Sequence, residues 1–334
     1  MGNNKISIKD IARLSGVSVS TISRILNNTG RYSSETEKKV REVIAETGYQ
    51  PNLLAKGLRT SSMRSVGIIV PDITNEFFSS ITLAIQNALF ERSYVALICN
   101  TNEQPVIQSR QLEMLRASMV SGIIFISGED VTDEDLADGI PKVFVDRIPW
   151  NADAKGIVAI ESDSYEGGRI ATEELLSAGC TRIAALFDSR GLTTQVARYS
   201  GYLRAHQDRG LAVARELYQP VTQVSFDSGY EATKALLRSD KSFDALFCYS
   251  DILASGAVRA LTEEGIAIPG QARVVGYDNT SFSRFCTPPI TTVAQPVEQM
   301  GAMAAELILK MCAGDQPQHK RYTLPVALVK RETT

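Results

Sequence analysis

Short apolar runs alternate with amphipathic segments from Ser65 onward, and this alternation restricts the possible folds more than any other feature of the sequence. The apolar runs 66–70 and 95–98 flank a segment, 81–90, with helical spacing. The scheme repeats after about residue 160, with further apolar runs at 183–187, 245–248 and 274–276. Strands that alternate with helices predict parallel sheets with helical crossovers. We therefore predict an α/β core of two doubly wound parallel sheets in tandem.

The chain has 334 residues, more than one hydrophobic core usually serves, so two or three domains are expected. The late segments 291–294, 297–312 and 321–330 are difficult to assign to a third domain. We expect them to complete the two sheets.

The first thirty residues contain two short amphipathic segments. Their apolar residues recur at helical spacing: Ile8, Ile11, Ala12 and Leu14 in the first, and Val19, Ile22, Ile25 and Leu26 in the second. Gly16 lies between them and suits the positive φ of a tight turn. Ser18 can cap the second helix. Two such helices joined by a turn predict a helix-turn-helix, in which the second helix enters the DNA major groove.

The outward face of the second helix separates this interpretation from an ordinary helical hairpin. It carries hydrogen-bonding side chains and no carboxylate: Ser18, Ser20, Thr21, Ser23, Arg24 and Asn27. Such a surface suits phosphates and base edges. The charge distribution also favours a DNA-binding surface. Residues 1–60 hold ten Lys and Arg against five Asp and Glu, whereas the remaining residues hold 25 Lys and Arg against 33 Asp and Glu. A basic head on an acidic body is typical of a phosphate-binding module.

A third helix and a linker follow. Ser33 and the acids after it predict a helix that ends at Gly48. The segment 51–62 allows two interpretations. Pro51 can open a helix, but Gly57 makes the segment intrinsically weak, so it is either a plain linker or a hinge helix that forms on DNA.

Residues 10–27, DIARLSGVSVSTISRILN, closely resemble the headpiece of the LacI/GalR family of bacterial transcription repressors. The resemblance implies a DNA-binding headpiece at 1–50, a hinge at 51–63 and an effector-binding and dimerisation core at 64–334. It places Val19, Ser20 and Arg24 at base edges. Thr21, Ser23 and Asn27 would contact phosphates, with Ser18 at the start of the same helix. In the hinge, Asn52 lies beside the Pro51 that can open the helix and would take part in DNA binding, Ala55 would lie in the minor groove, and Leu58 would wedge between base pairs.

In open α/β sheets, ligands bind beyond the carboxyl ends of the strands. Here these positions carry carboxylates, amides, guanidinium groups and aromatic rings: Asn75, Phe77, Phe78, Asp146, Arg147, Arg198, Ser250, Asp278 and Gln295. A sugar suits such a set, because its hydroxyls donate and accept while its C–H faces pack on rings. Taken singly, an Asp after a strand is also typical of a helix cap, and paired Phe residues of a core.

The core resembles periplasmic sugar-binding proteins, in which two lobes close on a ligand and the chain crosses between them three times. This implies one lobe at about 64–161 and 292–321 and another at about 162–291 and 322–334. The predicted ligand residues resemble the ribose-contacting set. Two positions depart from it: Ser250 replaces an Asn, and Val224 stands where many relatives carry an aromatic ring. The effector is therefore ribose, fructose, sucrose or another small carbohydrate. Trp150 either lines the cleft mouth or packs on the surface.

An enzyme is not expected. The chain has two histidines, His206 in a predicted surface helix and His319 in a polar loop, and no G-x-S-x-G, P-loop or G-x-G-x-x-G motif. The five cysteines are scattered without metal-ligand spacing, so neither a metal nor a cofactor is predicted. No signal peptide or apolar run of membrane-spanning length is present, which predicts a cytoplasmic, nucleoid-associated bacterial protein.

The predicted protein is a homodimer that represses a carbohydrate-utilisation operon. One recognition helix reads too few base pairs to be specific in a genome, so a symmetric pair on a pseudo-palindromic operator is required. The C-terminus carries no heptad repeat, which favours a dimer over a tetramer. The alternative is a global carbon-catabolite regulator that answers to a phosphorylated carrier protein.

Overall fold

The computed structural model describes residues 6–27, 29–49, 63–128, 131–239 and 241–334. The chain divides into two compact units, a headpiece of residues 1–63 and a core of residues 64–334. Each unit has its own hydrophobic interior, and the two are described separately below.

Within residues 6–27 and 29–49, the headpiece contains the helices α1 (Ile8–Ser15), α2 (Val19–Asn27) and α3 (Ser34–Thr47). Ser7 caps α1 through a capping box with Asp10, and Ser33 caps α3 by accepting from the Thr36 N–H. Gly16 and Gly48 end α1 and α3 in the left-handed region, with φ of 65° and 63°. A small apolar interior forms from the residues Ile11, Ile22, Ile25 and Val40. The helices therefore begin and end where the local sequence predicts.

One apolar residue of the first amphipathic segment does not pack in the interior of the headpiece. Leu14 is 55% exposed, whereas Ser15 is buried and donates its hydroxyl proton to the Ile11 carbonyl at 2.7 Å. Ser15 follows Ile11 by four residues and Ala12 by three, so it lies in the middle of the buried face of the helix, whereas Leu14 lies at the margin of that face.

The first sheet of the core has six strands in the order β11-β5-β4-β3-β1-β2. The strands are β1 (Met63–Val70), β2 (Val95–Asn100), β3 (Val120–Ser127), β4 (Lys142–Arg147), β5 (Val158–Ser162) and β11 (Arg321–Leu324). Its helices are α4 (Glu76–Glu91), α5 (Pro105–Ala117), α6 (Asp133–Ala137) and α12 (Val297–Cys312). Apolar clusters lie on both faces of this sheet, which explains why its strands read as continuous apolar runs.

The second sheet also has six strands, in the order β12-β10-β9-β8-β6-β7. The strands are β6 (Ile183–Asp188), β7 (Tyr218–Val221), β8 (Ala245–Cys248), β9 (Arg273–Asp278), β10 (Thr291–Ala294) and β12 (Ala327–Val329). Its helices are α7 (Ser164–Ser177), α8 (Thr193–Asp208), α9 (Phe226–Arg238), α10 (Asp251–Glu263) and α11 (Ser281–Phe285), with a short 3₁₀ turn at Arg215–Leu217. Strand β12 lies at the edge and pairs antiparallel with β10, whereas β7, β6, β8, β9 and β10 pair parallel with their neighbours in that sheet order.

The chain passes between the two lobes three times: after β5, between β10 and α12, and between β11 and β12. The strand order changes two of the expected lobe boundaries. Strand β10 pairs with β9 in the second sheet, although it was expected mainly in the first lobe. Strand β11 pairs with β5 in the first sheet, although most of it was expected in the second lobe. The sequence of a short strand beside a crossover does not indicate which of the two sheets the strand will join.

Other differences concern weak elements. The strand β7 and the short helices α6 and α11 were not predicted.

His206 was predicted to lie on a surface helix, but in the structure it is buried in α8. Its Nδ1 lies 3.0 Å from the Tyr202 carbonyl, and burial lowers the pKa of the imidazole. Within the described residues, we find no helix with the length and apolar character needed to cross a lipid bilayer.

Candidate functional site

The recognition surface predicted for the headpiece lies on α2. Ser18, Ser20 and Arg24 are exposed, and Val19, Thr21 and Ser23 are half-buried. Ser18 caps the helix by accepting the Thr21 N–H at 3.2 Å, and its hydroxyl lies 2.9 Å from those of both Ser20 and Thr21. The first turn of α2 therefore presents a cluster of hydroxyl groups.

Arg24 extends this surface one turn further along α2. Its side-chain stem lies close to Gly30, where an added Cβ would meet the Arg24 Cδ at 3.3 Å. Asn27 belongs to α2, but its side chain lies outside the described residues. The predicted hinge residues Asn52, Ala55 and Leu58 lie outside them as well.

The loops at the carboxyl ends of the strands form a cleft between the two lobes of the core. Eight of the nine predicted ligand residues line one cavity there: Asn75, Phe77, Phe78, Asp146, Arg147, Arg198, Ser250 and Asp278. The cavity encloses about 400 Å³ including its mouth. Residues more than 200 positions apart in the sequence therefore meet at one place.

On the first lobe, aromatic rings form one wall of the cavity. Asn75 caps α4 by accepting the Phe77 N–H at 3.0 Å, which places Phe77 and Phe78 in the first turn of the helix. The two ring centroids are 5.6 Å apart and the planes are tilted by 56°. The Arg147 guanidinium lies 4.8 Å from the Phe78 centroid. A ligand at this wall meets both a ring face and a cation.

Asp146, at the end of β4, provides a polar group without a partner. Its φ is 67°, an uncommon backbone conformation for a residue other than glycine. Its Oδ1 atom is buried and has no hydrogen-bond partner among the described residues. Burial raises the pKa of this carboxyl, against the opposing effect of Arg198 and Arg147. An orphaned buried oxygen in a cleft is well placed to bind a ligand hydroxyl.

On the second lobe, Arg198 forms the centre of a buried polar group. Its side chain is 5% exposed, and its Nη1 donates to the Tyr249 carbonyl at 2.6 Å. The guanidinium carbon lies 3.6 Å from the centroid of the Tyr277 ring, and Nη2 lies 3.9 Å from the Asp278 carboxylate. The backbone of Arg198 is fixed by α7, since a Cβ at Gly168 would lie 2.0 Å from the Arg198 carbonyl oxygen.

Asp278 lies opposite Asp146 in the cavity and is held by residues from distant parts of the chain. Gln295 donates its Nε2–H to Asp278 Oδ1 at 2.7 Å, and the Ser162 hydroxyl donates to Gln295 Oε1. Burial raises the pKa of Asp278 to about 8, although Arg198 lowers it. Gln295 is not among the residues that line this cavity, but it orients Asp278 and lines an adjoining cavity that shares Phe77 and Asp278 with the first.

The cavity also contains residues that the sequence did not predict as ligand contacts: Thr194, Gln195, Tyr249 and Leu253. Val224, noted in the sequence as a departure from the ribose-contacting set, lines it as well. The Tyr249 hydroxyl is buried and has no partner among the described residues. Tyr249 directly follows β8, and this position at the end of a strand is the one sequence feature that could have indicated it as a cavity residue. Trp150 is 69% exposed and is not one of the lining residues.

Behind Ser250, Asp251 provides rigid support for the cleft. It is fully buried and accepts the Thr280 N–H at 2.7 Å, the Thr280 hydroxyl at 3.1 Å and the Thr292 hydroxyl at 2.6 Å. Burial raises the pKa of this carboxyl to about 7, although these hydrogen bonds lower it. The carboxyl links the loops after β8 and β9 to β10.

The fold and the two sites define a class of protein, a helix-turn-helix headpiece joined to a two-lobed ligand-binding core. Residues 7–52 match the model of bacterial regulatory proteins of the lacI family, and residues 172–334 match the model of the periplasmic binding protein-like domain. The chain is 32% identical over 322 residues to the HTH-type transcriptional repressor PurR of Actinobacillus pleuropneumoniae serotype 3, covering 95% of this chain and 94% of the relative. It is 32% identical over 330 residues to the ribose operon repressor of Halalkalibacterium halodurans, covering 98% and 97%.

Solved structures give the same result. A lac repressor dimer bound to operator and the anti-inducer ONPF has a TM-score of 0.88 at 26% identity and covers 99% of both chains. A regulator from Enterococcus faecium with bound ribose has a TM-score of 0.73 at 29% identity, covering 81% of this chain and 98% of its own. The chain belongs to the lacI family of bacterial regulatory proteins. It is a transcriptional repressor of this family and not an enzyme.

Proposed function

We propose that this protein represses a carbohydrate-utilisation operon and that a small, uncharged sugar in the interlobe cleft controls its binding to DNA. The observation that carries the proposal is the pairing of the cleft's cations. Arg147 is bonded to the Glu103 carboxylate at 2.7 Å, and the buried Arg198 donates to the Tyr249 carbonyl at 2.6 Å with its guanidinium 3.6 Å from the centroid of the Tyr277 ring. Because both guanidinium groups already have partners within the protein, neither is free to bind a phosphate.

The shape of the walls favours a sugar over a purine, the second candidate. The purine candidate rests on the relatives that are named PurR. A flat base is best held between two aromatic faces. Here Phe77 and Phe78 on the first lobe are aromatic, whereas the second lobe contributes Val224 and Leu253 together with Tyr249, whose ring packs against Phe187 and Phe247. A sugar ring with C–H and hydroxyl faces suits such a mixed cavity, and the unpartnered Asp146 Oδ1 suits a sugar hydroxyl.

For the headpiece, we propose that α2 enters the major groove, with Val19, Ser20 and Arg24 at base edges and Ser18, Thr21, Ser23 and Asn27 toward phosphates. The lac repressor structure with its operator contains a dimer, which supports a homodimer on a pseudo-palindromic site for this chain. Asn52, Ala55 and Leu58 would form the paired hinge helices at the centre of that site.

Effector control then requires coupling between the cleft and the headpiece. A coupling free energy of about 1–3 kcal/mol changes DNA affinity by roughly 5–150-fold, which is enough for regulation. A sugar that favours one angle between the lobes supplies this free energy if DNA binding favours another angle.

The test is thermal unfolding of the full-length protein with ribose, fructose, sucrose, glucose, their phosphates, hypoxanthine and guanine. A ligand at a hundred times its dissociation constant stabilises the folded state by about 2.7 kcal/mol, an easily measured shift. Each ligand that stabilises is then added to protein on operator DNA, and binding is followed by fluorescence anisotropy.

We expect one free sugar to stabilise the protein and to change its operator affinity. Stabilisation by a purine alone would replace the sugar with the second candidate, and a response to phosphosugars alone would contradict the charge argument. If no compound stabilises the protein, the cleft proposal fails and a phosphorylated carrier protein becomes the better candidate.

A further inference from the structure

Glu103 joins the two lobes at the edge of the cleft. Its Oε1 accepts from Arg147 Nη1 at 2.7 Å and from Arg190 Nη2 at 3.1 Å, and its Oε2 accepts from Arg190 Nη1 at 2.6 Å. Arg147 and Glu103 belong to the first lobe, whereas Arg190 follows β6 in the second lobe. One carboxylate therefore pairs with a cation from each lobe.

The backbone around Glu103 is held in a specific and uncommon conformation. Asn102 and Glu103 have φ of 51° and 55°, and the Glu103 N–H donates to the Pro71 carbonyl at 2.9 Å. Asn100 supports the turn, since its side chain donates to Asn102 Oδ1 at 2.6 Å and accepts the Ile73 N–H at 2.9 Å. Two successive residues with positive φ are unfavourable, and such conformations cluster at functional sites.

Both partners of Glu103 are themselves fixed. Arg190 is held by Asp188, whose side chain is fully buried, through Nε contacts of 2.9 and 3.0 Å to the two carboxylate oxygens. Arg147 lies over the Phe78 ring in the cavity wall. A rigid path thus runs from Asp188 in the second lobe through Glu103 to the ring and the cation that face the proposed effector.

Other contacts between the lobes have a different chemistry. The Thr193 hydroxyl donates to the Ile148 carbonyl at 3.1 Å, and the Ser281 N–H donates to Glu76 at 2.7 Å. Each of these joins an ion or a carbonyl to a neutral donor. The Glu103–Arg190 pair joins opposite full charges, and Glu103 also bonds to Arg147, which lines the cavity.

We infer that Glu103 is a positioning residue of the effector site, which holds Arg147 against Phe78 and ties this wall of the cleft to Arg190 of the opposite lobe. The inference about the effector rests on the proposed function, whereas the link between the lobes does not. Effector binding and lobe closure are coupled through one carboxylate that does not line the cavity.

The test compares Glu103→Gln with Glu173→Gln in the full-length protein. Glu173 is a matched control, because its side chain is also 32% exposed and pairs with an arginine, but its partner Arg209 lies in the same lobe. Hydrogen exchange is measured without ligand, and the affinity for ribose, or for the sugar found in the thermal panel, is measured by calorimetry.

In Glu103→Gln we expect faster exchange at residues 189–195 of the opposite lobe and a dissociation constant for the sugar that rises roughly tenfold, the loss expected for one charge-assisted hydrogen bond. Glu173→Gln should change neither. A purely local structural role for Glu103 would leave exchange in the opposite lobe unchanged, and that result overturns the inference.

The experiment distinguishes a failure of the proposed effector from a failure of the positioning role of Glu103. If no sugar binds the wild-type protein but Glu103→Gln still speeds exchange at 189–195, the link between the lobes stands and the proposed effector is wrong. If a sugar binds the wild type and Glu103→Gln with equal affinity, the positioning role is wrong and the proposed function stands.

Discussion

The headpiece surface and the interlobe cleft differ in what holds their polar side chains. On α2, Ser18 bonds to neighbours within the same turn, and Arg24 is exposed to solvent. In the cleft, Arg198 and Asp278 are at least nine-tenths buried and are held by residues from distant parts of the chain. Changes on the headpiece should therefore have small effects that are confined to DNA binding, whereas changes in the cleft should also alter the stability of the core.

The largest effect expected in the cleft concerns the pH dependence of stability. Burial raises the pKa of Asp278 to about 8, so the native state keeps this proton up to about pH 8, whereas the unfolded chain loses it near pH 4. The native state binds more protons between these limits, and the free energy of unfolding falls as the pH rises from about 4 to about 8. One pKa unit corresponds to about 1.4 kcal/mol, so the full fall from this group amounts to several kcal/mol.

Asp278→Asn tests this expectation. Asn tolerates the positive φ of 105° at this position and can still accept from Gln295, but it does not titrate. Urea unfolding between pH 5 and 9 should show a fall for the wild type that is smaller in the variant, in which Asp251 and Asp146, whose pKa values burial also raises, still contribute. Asp208→Asn, at an exposed carboxylate paired with Arg204, should keep the wild-type slope. Equal slopes for wild type and Asp278→Asn would mean that Asp278 is ionised in the native cleft.

Close packing behind the cleft predicts the next largest effect. A Cβ at Gly168 would lie 2.0 Å from the Arg198 carbonyl oxygen, so Gly168→Ala forces α7 and α8 apart and displaces the Arg198 guanidinium. We expect a loss of about 3 kcal/mol in the free energy of unfolding, at the upper end of overpacking effects, together with weaker sugar binding.

Gly270→Ala is the control for Gly168→Ala, because the nearest atom to its added Cβ would be the Ala267 Cβ at an ordinary 3.5 Å. Chemical denaturation of both variants gives the comparison. If Gly168→Ala is as stable as Gly270→Ala, the two helices have room to adjust and the position of Arg198 does not depend on their close contact.

The same contrast explains which parts of the molecule could be predicted from the sequence. Gly16, Ser18 and Gly48 act within one or two turns of where they stand, so the helix boundaries of the headpiece follow from local signals. The apolar runs that became β3 and β8 are buried on both faces, and such strands are easily recognised. Strand β7, with Pro220 and polar neighbours, lies at a sheet edge, where proline is tolerated and the apolar signal is weak.

In the cleft, the sequence could predict only those residues that directly follow a strand. Asp146 and Ser250 were found because they follow strands, but the place of Tyr249 in the cavity lining depends on how its ring packs against Phe187 and Phe247 in the second lobe. Gln295 shows the limit most clearly. Its place after β10 predicted a ligand contact, but its hydrogen bonds to Asp278 and the Ser162 hydroxyl, and its position in the adjoining cavity, depend on how β10 joins the second sheet.

Arg24→Ala is expected to have the smallest effect of the three and to leave the core unchanged. If Arg24 contacts a base edge, its loss should weaken binding to the preferred operator by about 1–3 kcal/mol and relax the preference at one base pair. Sugar affinity and the unfolding of the core should match the wild type, because nothing in the core depends on this exposed side chain.

Arg13→Ala is the matched control for Arg24→Ala. Arg13 is an arginine of the same headpiece that is 78% exposed and pairs with Asp10 on α1. Its removal lowers the positive charge equally, so it should weaken all DNA sequences alike and leave the base preference intact. Binding of both protein variants to a library of operator sequences distinguishes a uniform loss of affinity from a changed base preference. If Arg24→Ala also weakens every sequence by the same factor, Arg24 contacts phosphate and the base-edge assignment on α2 is wrong.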